Sequence, residues 1–327
     1  MAISPPYATL RFKGTPEEIN EQWVEYRKGG IGGSDVAAIM GLNSYASPLE
    51  VWLEKTGRKE PEDLSEKEAV EWGNILEDVV ADKFKREHEG EFDVYRKNAM
   101  LVSKDRPWAF ANLDRYIVDR KTKKKGVLEI KTVGAYRASD WDDGVPVYYL
   151  TQVTHYLSVT GFDFAYVAVL IGGQKYREYL IERDEEDIKV VNEHVDTFWH
   201  EFVETDTAPA LIGTKSEEDL LLEIHSDPSD AYVHALDADI DLDRLQEVKE
   251  EIKKLEGEKK LIENNIKALI GDSRGLETET QRITWSRSKA TKFDADRLKS
   301  DHPDLAAKYT SEYTRNSGLR ISKRKDA

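Results

Sequence analysis

The sequence predicts an α/β (α+β) fold: a central β-sheet of mixed strand direction flanked by helices, followed by a helical C-terminal extension. Three observations carry the prediction. Two apolar runs, Tyr116-Ile117-Val118 and Val127-Leu128 with Ile130, flank a Lys-rich turn from Lys121 to Gly126 and read as a β-hairpin. Residues 163 to 171 form an unbroken apolar run of strand length, the pattern of a strand buried on both faces, and the alternating segment Lys175 to Glu182 returns antiparallel after Gly172-Gly173. Amphipathic stretches at Glu66 to His88 and Asp184 to Glu204 supply helices to cover the sheet.

Taken in order, residues 16 to 28 read as a helix with Thr15 as N-cap, Pro16 in the first turn and Glu18 three residues past the cap. A Gly-rich turn, Gly29-Gly30-Ile31-Gly32-Gly33, ends it, and Ser34-Asp35 opens a second helix closed by Gly41. A third helix spans 47 to 56, with Ser47 as cap and an apolar face of Leu49, Trp52 and Leu53. A polar linker, Gly57 to Ser65, precedes the Glu66 to His88 helix, whose buried stripe is Val70, Gly73, Leu76, Val80 and Phe84. Phe92 to Val102 and Trp108 to Val118 have strand character, and a further helix runs from Pro146 to Thr160. The first domain is placed at 1–210. The remainder, 211–327, reads as an acidic stretch without pattern from Glu217 to Ser229, then a heptad-like helix from Asp239 to Ile270, a strand at Glu277 to Trp285 and a basic tail. Gly257 and Lys259 interrupt the heptads, so that segment reads as a helix pair or a contact between protomers.

At 327 residues the chain can bury a sizeable core. Without cysteine it has no disulfide, thiolate metal site or cysteine nucleophile. Its first residues lack a basic segment followed by an apolar run, and no stretch approaches membrane-spanning length, so a cytoplasmic protein is expected. The net charge of −16 argues against a nucleic-acid partner, but its distribution argues for one. Between Arg96 and Arg137 twelve Lys or Arg stand against four Asp or Glu, a local balance of +8 on an acidic body. That suits an enzyme holding a polyanion in one channel.

The hairpin carries the chemistry. Alternation along its second strand puts Glu129 and Lys131 on one face and Ile130 on the other, and Asp114, near the start of the first strand, can approach Glu129. Two carboxylates and an amine at one spot are costly unless used; a divalent cation with a phosphodiester would use them. The Gly-rich turn offers free backbone N–H groups at a helix start, with Ser34 adding a hydroxyl and Arg27 a fixed positive charge, a phosphate pocket in outline. On the helix from Pro146, Gln152 and Tyr156 are four apart and share a face. His155, one residue from that pair, is given no role.

In the order Arg27 with Gly-Ile-Gly-Gly-Ser34-Asp35, Gly73-x-x-x-Glu77, Asp114, Glu129-Ile130-Lys131 and Gln152-x-x-x-Tyr156, the chain resembles the PD-(D/E)XK nuclease superfamily and, within it, the YqaJ-type viral recombinases that include phage lambda exonuclease. Asn112-Leu113-Asp114 departs from the Pro-Asp wording that names the superfamily. The resemblance, over about residues 21 to 200, implies an αβββαβ core and a Mg²⁺-dependent 5′-to-3′ exonuclease on linear double-stranded DNA, with Mn²⁺ able to substitute. It implies that Asp114, Glu129 and the Ile130 carbonyl bind metal with Glu77 nearby, that Lys131 and Gln152 handle the attacking water, that Arg27 and Ser34 hold a 5′-phosphate, and that Tyr156 approaches the DNA backbone. It further implies a trimeric ring, a single-strand annealing protein as partner, and a phage or prophage origin in a bacterial host. A non-catalytic recombination scaffold and an endonuclease on the same core are the alternatives.

Overall fold

The computed structural model describes residues 4–61, 67–225, 232–233, 238–286, 288–311, 319 and 321–322. These fall into two compact units, Met1–Ser229 and Asp230–Ala327. The division therefore lies beyond residue 210, because the stretch expected to be patternless contains a helix packed on the first unit.

The first unit begins with β1 (Tyr7–Leu10) and three helices, α1 (Pro16–Lys28), α2 (Gly33–Ile39) and α3 (Pro48–Lys55). Thr15 and Glu18 form a full capping box at α1, and the Ser47 hydroxyl caps α3, so the cap residues placed from sequence set both starts. Next come α4 (Glu68–Glu87), β2 (Phe92–Tyr95), β3 (Met100–Ser103), β4 (Phe110–Ala111), β5 (Arg115–Asp119) and β6 (Lys125–Val133). Residue 66, the expected start of α4, lies outside the described residues. A 3-10 segment at Ala135–Trp141 leads into α5 (Val147–Thr160), closed by Gly161 at φ 65°. The unit continues with β7 (Phe164–Ile171), β8 (Lys175–Glu182), α6 (Glu185–Thr197) with a π-helical extension at Phe198–Val203, and α7 (Lys215–Ile224).

The main sheet has the order β2-β5-β6-β7-β8, with β6 and β7 parallel and the other pairs antiparallel. A parallel neighbour needs a crossover, and α5 provides it. The succession α4, β2, β5, β6, α5, β7 is the expected αβββαβ order. Val80, Ala81 and Phe84 of α4 pack with Ile117, Leu128, Ile130 and Ala168 on one face. On the other, Val153, Tyr156 and Leu157 of α5 pack with Val127, Val167 and Val169. Each buried Val, Leu, Ile or Phe among them contributes roughly 1.5–3 kcal/mol. α5 is itself overlaid by α2 and α6, which is why it is buried nearly all round and shows little amphipathic pattern.

Two stretches read as single strands are each divided. Phe92 to Val102 becomes β2, paired with β5, and β3, which joins a separate sheet of order β1-β3-β4. Trp108 to Val118 becomes β4 and β5, separated by Asn112, Leu113 and Asp114. That break frees the Asp114 side chain from the strand's alternation.

α7 opens on a second capping box, Thr214 with Glu217. Glu217 is buried and accepts backbone N–H groups from Ile212, Gly213 and Thr214, while Leu220 joins the apolar cluster of α2, α3 and α6.

The second unit contains α8 (Ala238–Ile270), the hairpin strands β9 (Gly275–Glu277) and β10 (Arg282–Thr284), α9 (Ala295–Asp301) and α10 (Pro303–Lys308). Gly257 and Lys259 do not divide α8, which runs on through both. The single strand expected at Glu277 to Trp285 is this hairpin. Tyr313 and the basic residues after 322 lie outside the described residues. No helix among the described residues is long and apolar enough to cross a membrane.

Candidate active site

The site is assembled where β6 passes under α5. Alternation on β6 sends Glu129 and Lys131, with Val127, to the α5 face and Leu128 and Ile130 to the α4 face. Glu129 is only 2% exposed. Its Oε1 accepts from Lys131 Nζ at 2.8 Å and from Gln152 Nε2 at 2.8 Å, while its Oε2, equally buried, has no hydrogen-bond partner. Lys131 Nζ also donates to Gln152 Oε1 at 3.2 Å and lies 4.8 Å from the centre of the Tyr149 ring. Gln152 Nε2 reaches the Tyr156 hydroxyl at 3.0 Å. The four-residue spacing on α5 thus chains Tyr156 through Gln152 to the carboxylate.

Asp114 enters from the break before β5. Its Oδ2 accepts the Ile130 N–H at 2.8 Å, which pins the carboxylate to the strand that carries Glu129. Burial and the neighbouring Glu129 push the Asp114 carboxyl up to about 8. Burial likewise raises Glu129, against the pull of Lys131. For Lys131 burial works to lower the pKa, but Glu129 and Asp114 outweigh it and raise the ammonium above its ordinary value.

Two buried carboxyls side by side, both raised by burial and one with an orphaned buried oxygen, are an all-oxygen donor set that fits a divalent cation such as Mg²⁺ or Mn²⁺. Among the described residues no group of three or more His, Asp and Glu side chains is gathered into a ligand cluster. Glu77 is close enough to raise both carboxyls, but it is paired with Arg115, whose guanidinium also holds Asp78. Arg115 is buried and shares the α4 face of β5 with Ile117, so it anchors Glu77 on that side of the sheet.

The residues expected to form a phosphate pocket gather at the start of α2. Arg27 Nη2 contacts Ser34 Oγ at 2.6 Å and Asp35 Oδ1 at 2.7 Å. Asp35 Oδ2 takes the Gly32 N–H at 2.9 Å and Lys55 Nζ at 2.8 Å. Burial would raise Asp35, but Lys55 and Arg27 overcome it and hold the carboxyl well below its usual range. Asp35 and Lys55 are buried, whereas Ser34 is exposed and Arg27 partly so, leaving one hydroxyl and one guanidinium edge open to a ligand. The two sites meet through Gly33: a Cβ there would fall 2.4 Å from Tyr156 Cε1 and 3.0 Å from Gln152 Cγ. α2 can approach α5 this closely only because residue 33 has no side chain.

The structure therefore brings Asp114, Glu129, Lys131, Gln152 and Tyr156 together, sets Arg27 and Ser34 beside them, and turns Glu77 to Arg115. His155 is a core residue: its Nε2 contacts the Phe110 carbonyl at 3.0 Å, and burial lowers its pKa to about 4. The exposed basic turn of Arg120 to Lys125 is six residues from Lys131 along β6, roughly 20 Å. Sequence reasoning missed Lys55 and Arg115. Lys55 follows Val51 and Trp52 on the apolar side of α3, and a lysine in that position is the signal of a buried partner.

A family model described as the YqaJ-like viral recombinase domain matches residues 22–163. The chain is 36% identical over 302 residues to the uncharacterized protein YqaJ of Bacillus subtilis (strain 168), covering 90% of this chain and 92% of that one. The crystal structure of an alkaline exonuclease, LHK-Exo, from Laribacter hongkongensis is similar at a TM-score of 0.45 and 19% identity, covering 63% of this chain and 98% of its own, and its complex with dAMP gives the same values. With more than a third of its residues identical to YqaJ across nine-tenths of its length, the chain belongs to the YqaJ-like viral recombinase family.

Proposed function

We propose that this protein is a Mg²⁺-dependent deoxyribonuclease that degrades linear double-stranded DNA from the 5′ end during phage-type recombination. The observation that carries the reading is the buried Glu129 carboxylate, one oxygen bonded by Lys131 and Gln152 and the other without a partner, beside a second buried carboxylate. Asp114, Glu129 and the Ile130 carbonyl would hold the cations, with Glu77 reaching them if released from Arg115. When bound, Mg²⁺ or Mn²⁺ supplies Lewis-acid stabilisation of the charge developing on the phosphodiester.

The chain's own groups do the rest. Glu129 and Asp114 favour the Lys131 ammonium, and in that form it would polarise and position the attacking water. Gln152 fixes the Lys131 ammonium by its carbonyl and Glu129 by its amide, and presents the same face to the water. Tyr156 is held neutral by burial and meets the DNA backbone as a hydrogen-bonding hydroxyl. Arg27 and Ser34 bind the 5′-terminal phosphate, and the buried Asp35–Lys55 pair keeps Arg27 aimed. A ring of three copies, a single-strand annealing protein as partner and action in the bacterial cytoplasm complete the reading.

End-labelled linear duplex and covalently closed circular plasmid, each incubated with Mg²⁺ and with EDTA, test it. Loss of the linear substrate alone, in Mg²⁺ alone, is expected. Degradation of the closed circle would assign an endonuclease, and survival of both substrates would assign a DNA-binding scaffold.

A further inference from the structure

The long helix of the second unit carries an unspent pattern. From Leu245 to Leu269, apolar residues fall at alternating spacings of three and four: Leu245, Ile252 and Ile266 at one seam position, Val248, Leu255, Ile262 and Leu269 at the other. Lys259 is the one polar member. The seam spans about 36 Å, more than three heptads, which is enough to specify a coiled coil. Most of it faces outward: Ile252 is 50%, Leu255 62%, Ile262 51% and Leu269 79% exposed, while Leu245, Val248 and Ile266 are half-buried. The other described helices of this unit, α9 and α10, have seven and six residues, too short to cover it.

We infer that α8 pairs antiparallel with α8 of a second copy of this chain, about a twofold axis at the level of residue 257.

Charge decides both the partner and its direction. In a parallel pair the flanking contacts of the seam join Arg244 to Lys249, Glu251 to Glu256 and Glu258 to Glu263, every one a like-sign pair, and Lys259 would stack on Lys259 inside the seam. Parallel trimers meet the same repulsions. Reversing one helix places Leu245 opposite Leu269, Val248 opposite Ile266, Ile252 opposite Ile262 and Leu255 opposite Lys259, so the whole apolar seam stays in register with itself. Lys249 then faces Glu263 on both sides of the axis. Glu256 and Glu258 each meet their own copies there, but Lys259 of the opposite helix enters the same turn and answers them. Within one helix Glu263 lies 3.8 Å from Lys259 and 3.7 Å from Lys267, exposed contacts too long to hold any of the three.

The chain has no cysteine, so single cysteines report on this directly in the full-length protein. Glu256→Cys should link to its own copy with a short bis-maleimide, because position 256 faces itself across the axis. Ile252→Cys should not, because ten residues of helix, about 15 Å, separate it from its copy. Ile252→Glu combined with Leu255→Glu, both exposed and helix-compatible, should halve the mass in solution by light scattering with helicity by circular dichroism unchanged. Linking at 252 but not at 256, or a variant of undiminished mass, overturns the inference.

Discussion

Lys131 and Glu129 stand on the same face of β6 with Nζ and Oε1 2.8 Å apart, the half-buried ammonium and the buried carboxylate also sharing Gln152. Their pairing sets the first prediction. Lys131→Ala should lower duplex cleavage in Mg²⁺ by about 10²–10⁴-fold, the usual loss for a positioned proton donor, while DNA binding measured by fluorescence anisotropy is retained. Full activity in that variant would remove Lys131 from the chemistry.

The carboxylates set the second. Asp114 has a folded-state pKa of about 8 against 3.8 for the free side chain, so between those values the folded chain binds more protons than the unfolded one. Stability therefore falls as pH rises through this window, and Glu129, shifted the same way, steepens the fall. Chemical denaturation in EDTA should show stability decreasing from about pH 5 to pH 8. Mg²⁺ should flatten the slope by taking the proton's place, and its own binding should tighten as pH rises. A slope unaffected by Mg²⁺ would separate these carboxylates from metal binding.

The pocket at α2 yields a third. Arg27→Ala should remove the preference for a 5′-phosphorylated end and leave the fold intact, since Asp35 keeps Lys55 at 2.8 Å. Asp35→Ala should instead destabilise the protein by roughly 3–5 kcal/mol, because it strands Lys55 and Arg27 against a buried site. Digestion rates on phosphorylated and dephosphorylated duplex, with urea midpoints for both variants, separate the two roles.

A fourth concerns α7. Glu217→Ala leaves the N–H groups of Ile212, Gly213 and Thr214 without their shared acceptor and should cost about 1–3 kcal/mol. Protease cleavage within 205–225 should rise in this variant before the rest of the first unit is attacked.

What is legible in the sequence is what has a period or a local cap. The β5–β6 hairpin, the apolar β7, the helix starts at Thr15 and Ser47 and the face shared by Gln152 and Tyr156 are all set by residues a few positions apart. What stays hidden depends on partners far away in the chain. β2 and β3 look like one strand because nothing local says that one will join β5 and the other β1. α7 looks patternless because Glu217 spends its charge on backbone N–H groups and only Leu220 is buried among its apolar residues. Arg115 is invisible as the holder of Glu77 because the two are 38 positions apart. In α8 the heptads are plain, and Gly257 is weaker than the expected interruption: on a helix this exposed it costs about 1 kcal/mol, not a break.

Gly33 yields the last prediction, and it joins the two halves of the site. A methyl group at residue 33 would lie 2.4 Å from the Tyr156 ring, and turning a flexible side chain cannot relieve the clash, because Tyr156 is buried and its hydroxyl is tied to Gln152. Gly33→Ala should push α2 away from α5 and cost roughly 1–3 kcal/mol by overpacking. The same displacement moves Gln152, and with it the amide that holds Glu129, while it shifts Ser34 away from Arg27. Cleavage rate and 5′-phosphate preference should therefore decline together in Gly33→Ala, although residue 33 contributes no side chain to either. A variant that loses stability but keeps both would show that the phosphate pocket and the carboxylate centre are positioned independently.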